Sequence, residues 1–167
     1  MKKIILIALS LLVLMAPSFA MIGVSAMGAY YSYAGSSSTG YGLELELPIL
    51  PIPFAISSLQ AIYIPINATS YLAPITLNAK FDIPATPFYL GADIGYLLYS
   101  QTTANFTFPG ALTYGVLAGY KHNLMPTMDF FAQAGYEIMD VTYKVGAVEF
   151  SNKFSGLSVK AGLKWGI

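Results

Sequence analysis

The final segment, residues 157–167, constrains the chain more than any other. Leu157, Val159, Ala161, Leu163, Trp165 and Ile167 fall on one face of an extended backbone, and Ser158, Lys160, Gly162, Lys164 and Gly166 fall on the other. Side chains alternate across a strand with a period of two. A helix, with period 3.6, would scatter the two lysines among the leucines. The segment therefore predicts a strand with one apolar and one polar face.

The same period recurs upstream. Phe88, Leu90, Ala92, Ile94, Tyr96 and Leu98 oppose Gly91, Asp93 and Gly95; Leu112, Tyr114, Val116, Ala118 and Tyr120 oppose Thr113, Gly115, Gly119 and Lys121. Ala132, Ala134, Tyr136 and Ile138 oppose Gln133, Gly135 and Glu137. Tyr41, Leu43, Leu45 and Leu47 oppose Glu44 and Glu46, while Ile75, Leu77, Ala79, Phe81 and Ile83 oppose Asn78, Lys80 and Asp82. Gly23–Tyr33 and Phe54–Ile66 alternate less clearly and are placed by spacing. Eight strands are expected. Short proline-bearing turns are expected at Pro48–Pro53 and Pro84–Pro87, with a further short turn at Asn123–Thr127. Polar loops are expected at Ala34–Ser38, Asn67–Leu72, Ser100–Gly110 and Lys144–Asn152. Short turns at one end and longer loops at the other suit a transmembrane barrel, with the short turns periplasmic.

Alternation alone does not say which face looks outward, but composition does. Only 10% of residues are charged and 56% are hydrophobic, whereas soluble surfaces carry about 25–35% charged residues. An inward apolar face would leave water a surface of glycine, serine and threonine with few charges. Pointing the apolar face at lipid removes the conflict, and Gly42, Gly91, Gly95, Gly115, Gly119, Gly135 and Gly162 then make room in a narrow interior. In hydrocarbon an open sheet edge leaves unpaired backbone groups at several kcal/mol each, so the sheet must close. Aromatic residues near strand ends (Phe54, Phe81, Phe88, Tyr99, Phe130, Tyr143, Trp165) suit interfacial girdles. The expected class is an all-β, transmembrane, antiparallel up-and-down β-barrel.

Residues 1–20, MKKIILIALSLLVLMAPSFA, read as a cleavable signal peptide. Lys2 and Lys3 form the positive start, Ile4–Met15 the apolar core and Ser18-Phe19-Ala20 the cleavage site. Residues 21–167 then form the barrel domain. Removing residues 1–20 leaves six lysines against eight carboxylates, and the chain has no arginine. Nucleic acid, whose phosphates call for clustered Lys and Arg, is therefore not an expected partner. The chain has no cysteine, which excludes disulfides and a lipid-anchored lipoprotein.

The signal, the eight alternating strands and the ending Leu163-Lys164-Trp165-Gly166-Ile167 together resemble the small OmpA/OmpX-type outer-membrane barrels, over essentially all of residues 21–167. The resemblance implies a bacterial outer-membrane location and recognition of the last strand by the barrel-assembly machinery. In the family that signal commonly ends on a terminal aromatic residue; here the last residue is Ile167 and the aromatic is Trp165 on the same face, so Leu163, Trp165 and Ile167 would carry it. A peptidoglycan-binding role like that of longer relatives is not expected, since no domain follows Ile167 in this sequence.

The expected lumen holds Glu44, Glu46, Asp82, Asp93 and Glu137 with Lys80, Lys121, Lys160 and Lys164. Near balance suggests a paired network filling the interior, because a buried unpaired charge is costly; a gated ion path is the alternative. Enzymatic barrels generally place a histidine beside a nucleophile. The only histidine, His122, has no serine within two residues, so no catalytic role is expected. One histidine and no cysteine leave no transition-metal site, and no cofactor is expected. Two roles fit: a structural or surface-interaction barrel (envelope integrity or adhesion) with ligands met through loops 67–72, 100–110 and 144–152, or a narrow pore or transport barrel for ions or small apolar molecules. Leu97 and Leu117 mildly suggest an apolar niche in the lumen for the second.

Overall fold

A two-faced strand acquires an inside and an outside once its sheet closes, and this sheet does. The computed structural model describes residues 22–33, 36–47, 54–67, 70–100, 110–145 and 148–166. Its strands are β1 (Gly23–Tyr33), β2 (Ser36–Leu47), β3 (Ala55–Asn67), β4 (Ser70–Asp82), β5 (Phe88–Ser100), β6 (Ala111–Met125), β7 (Met128–Val145) and β8 (Val148–Gly166). Each is antiparallel to its neighbour in chain order, and β8 returns to pair with β1 from Gly23↔Gly166 to Tyr33↔Gly156. Closure supplies partners for the outer backbone groups of the first and last strands. The expected signal segment, 1–20, lies outside the described residues.

Apolar side chains point outward. Leu43, Leu77, Leu90, Ile94, Val116 and Leu157 are each at least half exposed, while Glu44, Asn78, Gln133, Glu137 and Lys160 are almost fully buried. This inverts a water-soluble protein and matches a barrel solvated by lipid. Aromatic side chains flank the apolar band. Phe54, Phe81, Phe88, Phe130 and Trp165 are exposed near the end carrying the 83–87 and 126–127 turns, and Tyr30, Tyr63, Tyr71 and Tyr96 near the opposite end. We call these the turn end and the loop end. Tyr71 and Phe81 lie ten residues apart on β4, about 33 Å along a strand. A tilt of about 40° projects this to roughly 25 Å, the height of an outer-membrane apolar band. The side chains of Tyr99 and Tyr143 lie outside the described residues.

The inner face is narrow because glycines let neighbours lie close. A Cβ on Gly119 would sit 2.1 Å from the Tyr89 ring, and one on Gly162 would meet Met27 at 2.9 Å. Prolines within strands interrupt pairing, as expected of a residue without an N–H. The β3–β4 ladder lacks pairs over the stretch opposite Pro74, without change of register, and its register shifts between Pro65 and Asn67.

The connections differ from expectation. Three of the four loops read as Ala34–Ser38, Asn67–Leu72 and Lys144–Asn152 are mostly strand: β2 starts at Ser36, β3 runs to Asn67 with β4 from Ser70, and β7 runs to Val145 with β8 from Val148. Their serines, asparagines and glycines resemble loop, yet the threonine, tyrosine and valines among them are good strand formers. The β7–β8 ladder continues to Val145↔Val148, past Ala111↔Val141, where β6 stops pairing, and past Tyr33↔Gly156, where β1 stops. A two-stranded hairpin therefore stands beyond the ring at the loop end. The fourth expected loop, 100–110, falls mainly on 101–109, outside the described residues.

Candidate functional site

The lumen is where the charged residues gather, since every inward position of each strand adds to one enclosed column. At the turn end, Lys80 on β4 forms an ion pair and hydrogen bond with Glu44 on β2 and lies 4.0 Å from Glu46. Ser58 Oγ donates to the same Glu44 carboxylate, and Asn78 Nδ2 donates to Ser58 Oγ at 3.2 Å. Lys164 on β8 bridges Glu46 at 3.2 Å and Asp129 at 3.3 Å. Lys121 on β6 pairs with Asp82 at 2.5 Å. The Lys80 ammonium also lies 5.6 Å from the Tyr89 ring centroid and 5.9 Å from that of Phe131. The remaining space there is a cavity of ≈ 20 Å³, room for about one water molecule.

Halfway up, Lys160 on β8 pairs with Glu137 on β7 at 3.1 Å, donates to Gln60 Oε1 at 2.9 Å, and lies 5.6 Å from the Tyr31 ring centroid. Toward the loop end the filling turns apolar. Met27, Ala29, Tyr31, Ile62 and Ile64 pack together, and Leu97, Ala111 and Met139 form a second group, with Leu72 touching both. Leu117 is buried as well.

Of the nine charged residues expected in the lumen, eight lie in these ion pairs: Glu44, Glu46, Lys80, Asp82, Lys121, Glu137, Lys160 and Lys164. Asp93 stands apart. It is buried, and neither carboxylate oxygen has a hydrogen-bond partner among the described residues. Asp129 is a lumen acid that the sequence pattern did not reveal, since it sits beside a turn. Among the described residues it brings the column to six carboxylates facing four lysines. His122 is exposed at the turn end, its ring stacked 6.3 Å from that of Tyr120. Leu163 and Trp165 lie on the outward face of β8, Trp165 at the turn end, and Ile167 lies outside the described residues.

A closed eight-stranded ring, a lipid-compatible exterior and a charged interior define the fold of the small outer-membrane barrels. Solved structures with this fold include Neisserial surface protein A, with 22% identity and a TM-score of 0.53 over 88% of this chain and 96% of that one. The outer membrane protein OprG from Pseudomonas aeruginosa matches at 12% identity and a TM-score of 0.59, covering 88% of this chain and 95% of that one. The outer membrane protein AlkL, solved in lipid bilayers, matches at 11% identity and a TM-score of 0.57, covering 91% of this chain and 93% of that one. No protein-family model and no curated protein sequence matches the chain.

Proposed function

We propose that this protein is an outer-membrane barrel of structural or surface-interaction role, supporting envelope integrity or adhesion, whose lumen is plugged by its own ion pairs. The observation that carries this reading is the turn-end column, where Lys80, Lys121 and Lys164 pair with Glu44, Glu46, Asp82 and Asp129 around a cavity of only ≈ 20 Å³. A hydrated ion needs several waters beside it, so this mouth supports a closed state. Reconstitution in planar bilayers tests it: the barrel should add no conductance to bare lipid, and discrete steps from the unmodified protein would overturn the plug. The β7–β8 hairpin beyond the ring is the element best placed to meet an external partner. Trimming residues 142–151 to a short turn should abolish surface binding while the barrel still folds.

A second reading, a route for small apolar molecules through the wall, rests on one feature. Register between β2 and β3 ends at Tyr41↔Tyr63 although both strands continue, and the buried Ile62 and Ile64 lie alongside. Retention of a fluorescent alkane analogue in the loop-end lumen would support it over the structural role.

The last strand serves, in the same proposal, as the assembly signal, through Leu163 and Trp165 on its lipid face and Ile167, which follows them in the sequence. Trp165→Ala should slow insertion by purified assembly machinery in proteoliposomes and leave spontaneous folding in detergent unchanged.

A further inference from the structure

Asp93 poses a problem that the ion-pair column does not solve. The residue is 7% exposed, and its buried carboxylate has no hydrogen-bond donor among the described residues, although burying a charge without a partner is among the costliest arrangements in a protein. Three more buried side chains close to it also have an oxygen without a partner: Thr76 Oγ1, Asn78 Oδ1 and Thr113 Oγ1, on residues 4%, 1% and 2% exposed. The register brings the four together. Asn78 lies directly opposite Asp93, and one inward position further along, Thr76 and Thr113 lie opposite Gly95 from its two sides.

Two glycines keep side chains of β5 and β6 from standing between them. A Cβ on Gly95 would sit 2.6 Å from Thr76 Cγ2 and one on Gly115 would sit 3.1 Å from Glu137 Cγ, so the neighbouring strands pack closely over both. The result is a buried set made only of oxygens: two from a carboxylate, one amide carbonyl and two hydroxyls. Hard cations take such donors, whereas softer metals call for imidazole or thiolate.

Charge sets the valence. At this height Asp93 and Glu137 face Lys160, which is already engaged by Glu137 at 3.1 Å and Gln60 at 2.9 Å. The level carries one net negative charge. A monovalent cation cancels it, whereas a divalent one would leave a buried positive excess.

We propose that Thr76, Asn78, Asp93 and Thr113 form a binding site for a small monovalent cation of the sodium class, held in the middle of the lumen. The cation bonds to the Asp93 carboxylate and the three neutral oxygens and ties β4, β5 and β6 together from within.

The test is urea unfolding of the full folded barrel in detergent micelles, followed by Trp165 fluorescence, in sodium chloride and N-methylglucamine chloride of equal ionic strength. Sodium should raise the midpoint to a plateau. At ten times its Kd it should increase the folded-to-unfolded ratio about elevenfold. Asp93→Asn should remove the difference between the salts, and sodium-23 line broadening present with the unmodified barrel should vanish with the variant. If Asp93→Asn does not fold, Thr113→Val, which keeps the charge and removes one donor, should raise the sodium concentration at half-effect. Identical unfolding of the unmodified barrel in the two salts would overturn the proposal. So would a sodium effect that survives Asp93→Asn, or a Thr113→Val barrel with unchanged sodium affinity. An Asp93→Asn barrel more stable than the unmodified one at saturating sodium would show that the carboxyl carries a proton instead.

Discussion

Lys160→Met is the substitution that asks most of the lumen. The side chain is 2% exposed, and its ammonium makes an ion pair with Glu137 and a hydrogen bond with Gln60 deep inside the barrel. Methionine keeps much of the aliphatic length and removes the charge. Glu137 then loses its lysine, and the level holds two carboxylates, Glu137 and Asp93, with no lysine facing them. Breaking a buried pair from one side costs about 3–5 kcal/mol, because the surviving charge is left desolvated. With a urea slope of about 2 kcal/mol per molar, the midpoint should fall by about 2 M. The double variant Lys160→Met with Glu137→Gln should regain most of that loss, since replacing both partners by neutral groups is far cheaper than orphaning one. The assay is equilibrium unfolding in micelles, and Trp165, the single tryptophan, reports it without labels. A loss under about 1 kcal/mol in the single variant would refute the claim that this pair is desolvated. A double variant as weak as the single would refute the claim that the carboxylate deprived of its lysine is the cause.

Other expectations follow from the same geometry. Gly119→Ala places a Cβ 2.1 Å from the Tyr89 ring, whose hydroxyl donates to Gln133 Oε1 at 3.1 Å; the ring must swing away from that partner, and unfolding should show a loss of about 1–3 kcal/mol. Val116, 62% exposed on the lipid face of β6, should lose about 2–4 kcal/mol of folding stability in bilayers when changed to Arg. Trp165 fluorescence should be quenched more by lipids brominated near the headgroup than by lipids brominated at the chain ends, since the indole belongs to the turn-end girdle. Removing Lys121, which pairs with Asp82 at the partly open mouth, should cost about 1 kcal/mol or less, clearly below Lys160→Met in the same assay.

The strands and their faces were legible in the sequence because lipid and lumen demand opposite chemistry at successive positions. Leu157–Ile167 shows this most plainly, and Glu44, Lys80, Glu137 and Lys160 all fall inside as the alternation requires. In the loop-end half of the lumen Leu97 hinted at the apolar filling, but the part contributed by β1 and β3 was not legible. Met27, Ala29 and Tyr31 on β1, and Ile62 and Ile64 on β3, are apolar on the inner face as well as the outer, so these strands lose their period. The hairpin tips were misread because Tyr143, Val145, Val148 and Phe150, interleaved with polar residues, can continue a ladder as readily as form a loop. Asp129 sits next to a turn, where an acid carries no positional signal. The oxygen cluster around Asp93 was missed for a chemical reason: threonine and asparagine are ordinary strand residues until a register sets them opposite a carboxylate.

The β1–β8 seam has a consequence for how such a chain comes into being. The ladder from Gly23↔Gly166 to Tyr33↔Gly156 joins positions separated by nearly the whole sequence. No shorter fragment contains both edges. A nascent or half-delivered chain therefore has no stable place in the bilayer, and must be kept soluble until its last strand arrives. Conversely, because the seam holds the two ends side by side at one rim, the break in the chain could be moved. A permuted protein, opened at the 126–127 turn and joined across residues 23 and 166, should rebuild the same cylinder.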